Sequence, residues 1–100
     1  MSGFRHVAMF GWVEGTTTLQ QQEIADRLRE LPGVIPEIQA YSVGVNAGVN
    51  PGNYDFVVVA DFADREAYLA YRDHPAHRAV VDQYIDPLVA RRAAIQYDLE

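Results

Sequence analysis

Phe4-Arg5-His6-Val7-Ala8-Met9-Phe10-Gly11-Trp12-Val13 alternates with a period of two, yet both of its faces are largely apolar. Phe4, His6, Ala8, Phe10 and Trp12 share one side; Arg5, Val7, Met9, Gly11 and Val13 share the other. Such a run is a strand that has to be dry on two faces. Tyr54 to Phe62 repeats the pattern, with Tyr54, Phe56, Val58, Ala60 and Phe62 on one face. Its second face, Asp55, Val57, Val59 and Asp61, is apolar in the middle. Two strands of this kind require helices on one side of their sheet and something else apolar on the other.

The segments between them supply the helices. After the Glu14-Gly15 break, Thr16, Thr17 and Thr18 offer N-caps, with Gln20 or Gln21 placed to complete a capping box. Ile24, Ala25, Leu28 and Leu31 form a helical stripe that Pro32-Gly33 ends. Ile38 to Val45 reads as a strand, with Tyr41, Val43 and Val45 on one face. The turn Asn50-Pro51-Gly52-Asn53 joins it to Tyr54–Phe62 as a hairpin. Asp64 caps a short helix carrying Ala67, Tyr68 and Tyr71. Pro75 opens another, with Asp73 or His74 as its cap. Asp86-Pro87 breaks that helix or restarts it for a turn, and Arg92 to Leu99 is a last strand.

The order β-α-β-β-α-β predicts an α+β, ferredoxin-like protomer in one domain spanning residues 1–100, with an antiparallel sheet and helices on one face. Val7, Met9, Val13, Val57 and Val59 would leave an apolar patch on the other face. Monomers rarely expose such a patch, so the reading pairs two copies sheet to sheet into a dimeric α+β barrel.

Composition narrows the chemistry. The chain has 100 residues and no cysteine, which removes disulfides, thiolate metal sites and cysteine nucleophiles. All its cations are arginine, so no lysine is present for a Schiff base. A net charge of −6 without a basic stripe argues against nucleic-acid binding. No run is long and apolar enough for a membrane span, and Met1 to Arg5 lead into the first strand without a signal-peptide pattern. The expectation is a cytoplasmic protein.

The three histidines and the tyrosines carry the chemistry available near neutral pH. His74 and His77 flank Pro75 and Ala76, and His6 lies on the first strand. His74 is read as a structural cap accepting from a free amide at the helix start. His74 and His77 stand at i and i+3, but proline intervenes and His74 precedes the helix; Asp73 could supply an oxygen, yet no second cluster completes a stable site, so no metal and no cofactor are expected.

Phe4-Arg5-His6-Val7, Asn50-Pro51-Gly52-Asn53-Tyr54-Asp55 and His74-Pro75-Ala76-His77 together resemble the stress-responsive α/β-barrel domain (Dabb) family over about residues 3 to 99. The resemblance implies the same protomer and the same dimeric barrel. Most members have no settled activity. At least one plant member is a polyketide cyclase that closes a ring by aldol condensation without metal or cofactor. Its key histidine and tyrosine match His77 and Tyr71, and a pocket histidine matches His6; a further pocket histidine falls at Phe56 here. On that pattern His77 would be the base and Tyr71 the donor to the developing oxyanion. His6, Ala8, Phe10, Phe56, Val58 and Ala60 would line the pocket.

Three functions are expected, in this order. The first is a homodimer that binds a small apolar or aromatic molecule without catalysis. The second is a cofactor-free cyclase or small monooxygenase using His77 and Tyr71. The third is a purely structural assembly module.

Overall fold

The computed structural model describes residues 3–100; Met1 and Ser2, expected from the sequence to lead into the first strand, lie outside the described residues. The elements are β1 (Gly3–Trp12), α1 (Thr18–Arg29), a 3-10 turn (Leu31–Gly33), β2 (Ala40–Val45) and β3 (Phe56–Phe62). α2 (Arg65–Asp73), α3 (Pro75–Val80), a π-helical turn (Val81–Ile85) and β4 (Val89–Leu99) complete them. The strands form one antiparallel sheet in the order β2-β3-β1-β4. This is the ferredoxin-like α+β fold that the strand and helix order predicts.

Local chemistry starts and stops each helix where the sequence suggests. Thr17 accepts from the Gln20 amide while the Gln20 side chain accepts from the Thr17 amide, a complete capping box. Asp64 accepts from the Ala67 amide at the start of α2. His74 caps α3 through Nδ1, which accepts from the Ala76 amide at 3.0 Å, and Pro75 occupies the first turn. α1 stops at Arg29, short of the Leu31 end of its apolar stripe, and Leu31–Gly33 tightens into the 3-10 turn.

Strand limits differ from the periodic reading: β1 runs Gly3–Trp12 and leaves out Val13, and the three other strands start elsewhere. β2 starts at Ala40, because Ile38 is held in a turn by its amide bond to the Ile35 carbonyl. β3 starts at Phe56, although the Asp55 backbone still bonds to Phe10 and Asn46; its Oδ2 accepts from the Trp12 amide at 2.9 Å, where the β1–β4 pairing shifts register at a bulge between Gly11 and Trp12. β4 starts at Val89, three residues before Arg92, since pairing with β1 continues past that bulge. Arg91 crosses Gly11 there, where a Cβ would lie 2.7 Å from the Arg91 Cγ. Its guanidinium donates to the Asn53 carbonyl and lies 4.2 Å from the Tyr54 ring centroid. Gly52 adopts φ +81° in the Asn50–Asn53 turn, the left-handed conformation a type II turn requires.

The sheet has two distinct faces. The rows Tyr41–Ala60–His6–Gln96, Val43–Val58–Ala8–Ala94 and Val45–Phe56–Phe10–Arg92 face the helices. Phe4, Ala8, Phe10, Phe56, Val58, Ala60 and Phe62 are buried there with Ile24, Leu28, Tyr71, Val81 and Ile85. The rows Ala40–Asp61–Arg5–Tyr97, Ser42–Val59–Val7–Ile95 and Gly44–Val57–Met9–Ala93 form the open face. Ile95 is 59% exposed and Tyr97 42%. Arg5 grips Asp61 of the same protomer with two hydrogen bonds, of 2.6 and 2.8 Å. Among the described residues, no helix is long and apolar enough to cross a membrane.

Replacing Thr17 by Ala removes the capping acceptor and is expected to cost about 1 kcal/mol of stability, whereas Thr17→Ser keeps most of it. Urea denaturation midpoints of the two variants check this.

Candidate functional site

α2 brings Tyr68 and Tyr71, three residues apart, onto the sheet beside His6. Ala60 is the small residue between Tyr41 and His6 in their cross-strand row. Tyr71 is 1% exposed, with ring centroids 5.2 Å from Phe62, 6.0 Å from Tyr41 and 6.2 Å from His6. Tyr68 lies 4.9 Å from His6. The break at His74-Pro75 turns the chain back, so α3 lays the His77 ring on Tyr71, 4.2 Å centroid to centroid and 30° from parallel.

His77 also closes the end of α2. Its Nδ1 lies 3.0 Å from the Arg72 carbonyl, one of the last-turn carbonyls that lack an intrahelical donor. A carbonyl can only accept, so Nδ1 carries the proton. In the neutral ring the lone pair therefore sits on Nε2, for which the described residues provide no hydrogen-bond partner. Burial lowers the His77 pKa from its ordinary value, opposed by the Arg72 carbonyl bond and reinforced by Arg78.

His6 is held differently. Its Nδ1 is 2.9 Å from the Gln96 Nε2, so Gln96 donates and His6 carries its proton on Nε2. Burial lowers its pKa from 6.5 to about 4, with the nearby His77 adding to the effect. Tyr41 and Tyr71 share a hydroxyl–hydroxyl hydrogen bond of 2.8 Å. Burial pushes Tyr41 up to about 12 and Tyr71 further up, so both phenols stay protonated. At neutral pH the cluster holds two uncharged imidazoles and two uncharged phenols.

The structure thus brings three of the sequence-predicted residues together: His6, Tyr71 and His77. Ala8, Phe10, Phe56, Val58 and Ala60 form a continuous apolar floor on the same face, buried in the common core. The Phe56 ring packs edge-on against Trp12 at 5.5 Å. Phe56 also lines an open groove of about 360 Å³ at the Gly52 turn, with Met9 and Val57, and another groove of about 370 Å³ lies between α2 and β4. Neither is lined by His77 or Tyr71. Among the described residues, no three His, Asp or Glu side chains gather as metal ligands. Sequence reasoning missed Tyr41 and Gln96. Their signal is the cross-strand row they share with His6, which appears only once the register is known.

The family model for the stress responsive A/B barrel domain matches residues 4–99. The chain belongs to this family. A dimeric ferredoxin-like protein of unknown function from Thermobifida fusca is similar at 42% identity and a TM-score of 0.90, over 98% of this chain and 92% of that one. An uncharacterized protein of Streptomyces coelicolor is 29% identical over 79 residues, covering 77% of this chain and 81% of its own. A hydroxynitrile lyase from Passiflora edulis shares the fold at a TM-score of 0.85 and 14% identity, over 98% of this chain and 94% of that one.

The low histidine pKa values set a sign for stability against pH. An unfolded chain takes up protons on histidine near 6.5, while folded His6 stays neutral down to about 4. Stability is expected to fall as pH drops through that window and to be unaffected by His6 above it. The Arg5–Asp61 pair contributes no loss there, because Arg5 holds the Asp61 pKa below 3.8. NMR titration of the imidazoles, with melting curves of wild type and His6→Gln from pH 7 to 4.5, checks both statements; the variant should show the flatter profile.

Proposed function

We propose that the chain works as a homodimer, with the open sheet faces in contact, and that each protomer binds a small apolar molecule at the His77–Tyr71–His6 cluster. The observation that carries the ligand reading is His77 itself. It is half-buried, uncharged at neutral pH, committed through Nδ1 and unpartnered at Nε2 among the described residues, with an aromatic wall behind it. Ligand sites of this type combine apolar walls with a few fixed polar groups. The dimer reading is supported by the apolar rows Val59–Val7–Ile95 and Val57–Met9–Ala93 on the open face and by the dimeric Thermobifida fusca protein.

The fixed tautomer of His77 favours a second reading, proton transfer at carbon next to a carbonyl. His77 Nε2 takes the proton, the C–H electron pair moves into the carbonyl, and the enolate oxygen accepts from Tyr71. For Tyr71 to keep a proton for the enolate, Tyr41 must be the donor in their 2.8 Å hydroxyl pair, in which either oxygen can donate. The distant Passiflora edulis protein, a hydroxynitrile lyase, has the same fold; the proposed chemistry rests on the residues of this chain.

Light scattering is expected to give twice the 11.2 kDa of the chain, and Val59→Asp should give the single-chain mass, since it places a charge in the middle of the open face. For the site, acetophenone in D2O is the probe. Binding should shift the His77 ring resonances, and proton transfer should add deuterium to the methyl group. His77→Gln should abolish the exchange and Tyr71→Phe should slow it by about 100-fold. Ring shifts without exchange would leave binding alone; neither effect would overturn both readings of the site.

A further inference from the structure

The groove between α2 and β4 has an aromatic floor, Phe4 and Tyr68, and charged walls: Arg65 and Arg72 on the helix, the latter already paired with Asp73, and Asp98 on the strand. Arg65 is unusual in this chain. Of eight arginines, six pair with carboxylates: Arg5, Arg27, Arg29, Arg72, Arg78 and Arg92. Arg91 is spent on Asn53 and Tyr54. Arg65 has no carboxylate within ion-pair distance among the described residues; its guanidinium lies 6.0 Å from the Phe4 ring centroid. In a chain of net charge −6, with acidic residues outnumbering basic ones, a guanidinium left without a carboxylate beside a groove is available to an external anion.

Two contacts join this groove to the His/Tyr cluster. Gln96 forms part of its strand wall and holds His6 Nδ1 at 2.9 Å. Tyr68 forms part of its floor and packs on the His6 ring. A molecule lying over Tyr68 is therefore one side chain away from His6.

We infer that the α2–β4 groove binds a small aromatic monocarboxylate, with the carboxylate on Arg65, the ring over Phe4 and Tyr68, and a hydrogen-bond donor towards Asp98. The groove volume, about 370 Å³, suits a ligand of one or two rings. Asp98 on the far wall selects against a second negative charge. The inference goes beyond the proposed ligand reading: the groove is a separate site, adjoining His6 through Gln96 and Tyr68 but not lined by His77 or Tyr71.

The test titrates the full chain, in its native oligomeric state, with 4-hydroxybenzoate by NMR and calorimetry. Saturable binding is expected, with shifts at the Arg65 guanidinium, Tyr68, Gln96 and His6. Arg65→Gln should weaken it about tenfold, and the neutral 4-hydroxybenzamide should bind wild type about tenfold more weakly than the acid. Terephthalate should bind no better than the amide, and Asp98→Asn should improve it. Equal affinity of wild type and Arg65→Gln, or of acid and amide, would overturn the inference. So would shifts confined to His77 and Tyr71, or no binding because a second copy fills the groove. Acetophenone separates the two readings: if it perturbs His77 while 4-hydroxybenzoate fails, the groove inference falls alone. If 4-hydroxybenzoate binds with the expected Arg65 dependence and acetophenone fails, the groove stands and the cluster reading falls.

Discussion

The alignment of β1 against β3 sets both faces of the molecule. Phe4 lies opposite Phe62, Ala8 opposite Val58 and Phe10 opposite Phe56, so that six ring or aliphatic side chains meet the helices together. The interleaved pairs, Val7 with Val59 and Met9 with Val57, are sent to the other side by the same pleat. A slip of one residue would exchange the two sets and bring Arg5 and Asp61 under the helices. The register is thus held by aromatic burial on one face. On the other, the two-point Arg5–Asp61 grip only works when those residues are directly opposed. His6 reaches Tyr71 because it is in the same set as Phe4 and Phe10.

Much of this was legible in the order of residues because the signals are local. The two-sided apolar strands, the Thr17 and Asp64 caps, the His74 cap before Pro75 and the Gly52 turn all depend on neighbours a few positions away. The features that were not legible depend on distant partners. The Asp55 carboxylate answers a free amide at Trp12, on a different strand. Val89 to Arg91 join β4 because β1 offers an edge beyond the bulge. The π turn, where the Asp86 amide reaches back to the Val81 carbonyl at 2.8 Å, has no local signature apart from Pro87 just after it. The site divides the same way. His77 and Tyr71 stand out from the resemblance, but that Tyr41 would share a hydrogen bond with Tyr71 depends on the β2–β3 register. That His77 would spend one nitrogen on Arg72 depends on where α2 ends.

His77 shows how structural and chemical duties can reside in one side chain. By donating to the Arg72 carbonyl it completes the hydrogen bonding of α2, and by stacking on Tyr71 it fills the angle between two short helices. Neither duty uses Nε2. Burial against Tyr71 disfavours the charged form of the ring and outweighs the Arg72 carbonyl bond, which favours it. An imidazole kept neutral by its packing, with one nitrogen unengaged, is a consequence of how the helix break is built.

The strand order has a consequence for how the chain acquires its shape. β1 is central, and its two neighbours lie far apart in sequence: β3 comes from the middle of the chain, β4 from the far end, where Leu99 pairs with Gly3. During synthesis β1 and β3 can meet while the last strand is still to be made. Until then one edge of β1 presents its row of free amides and carbonyls beside Val7 and Met9. That interval is when an emerging chain is open to pairing with the wrong strand, and its length is set by the distance in sequence between Gly3 and Leu99.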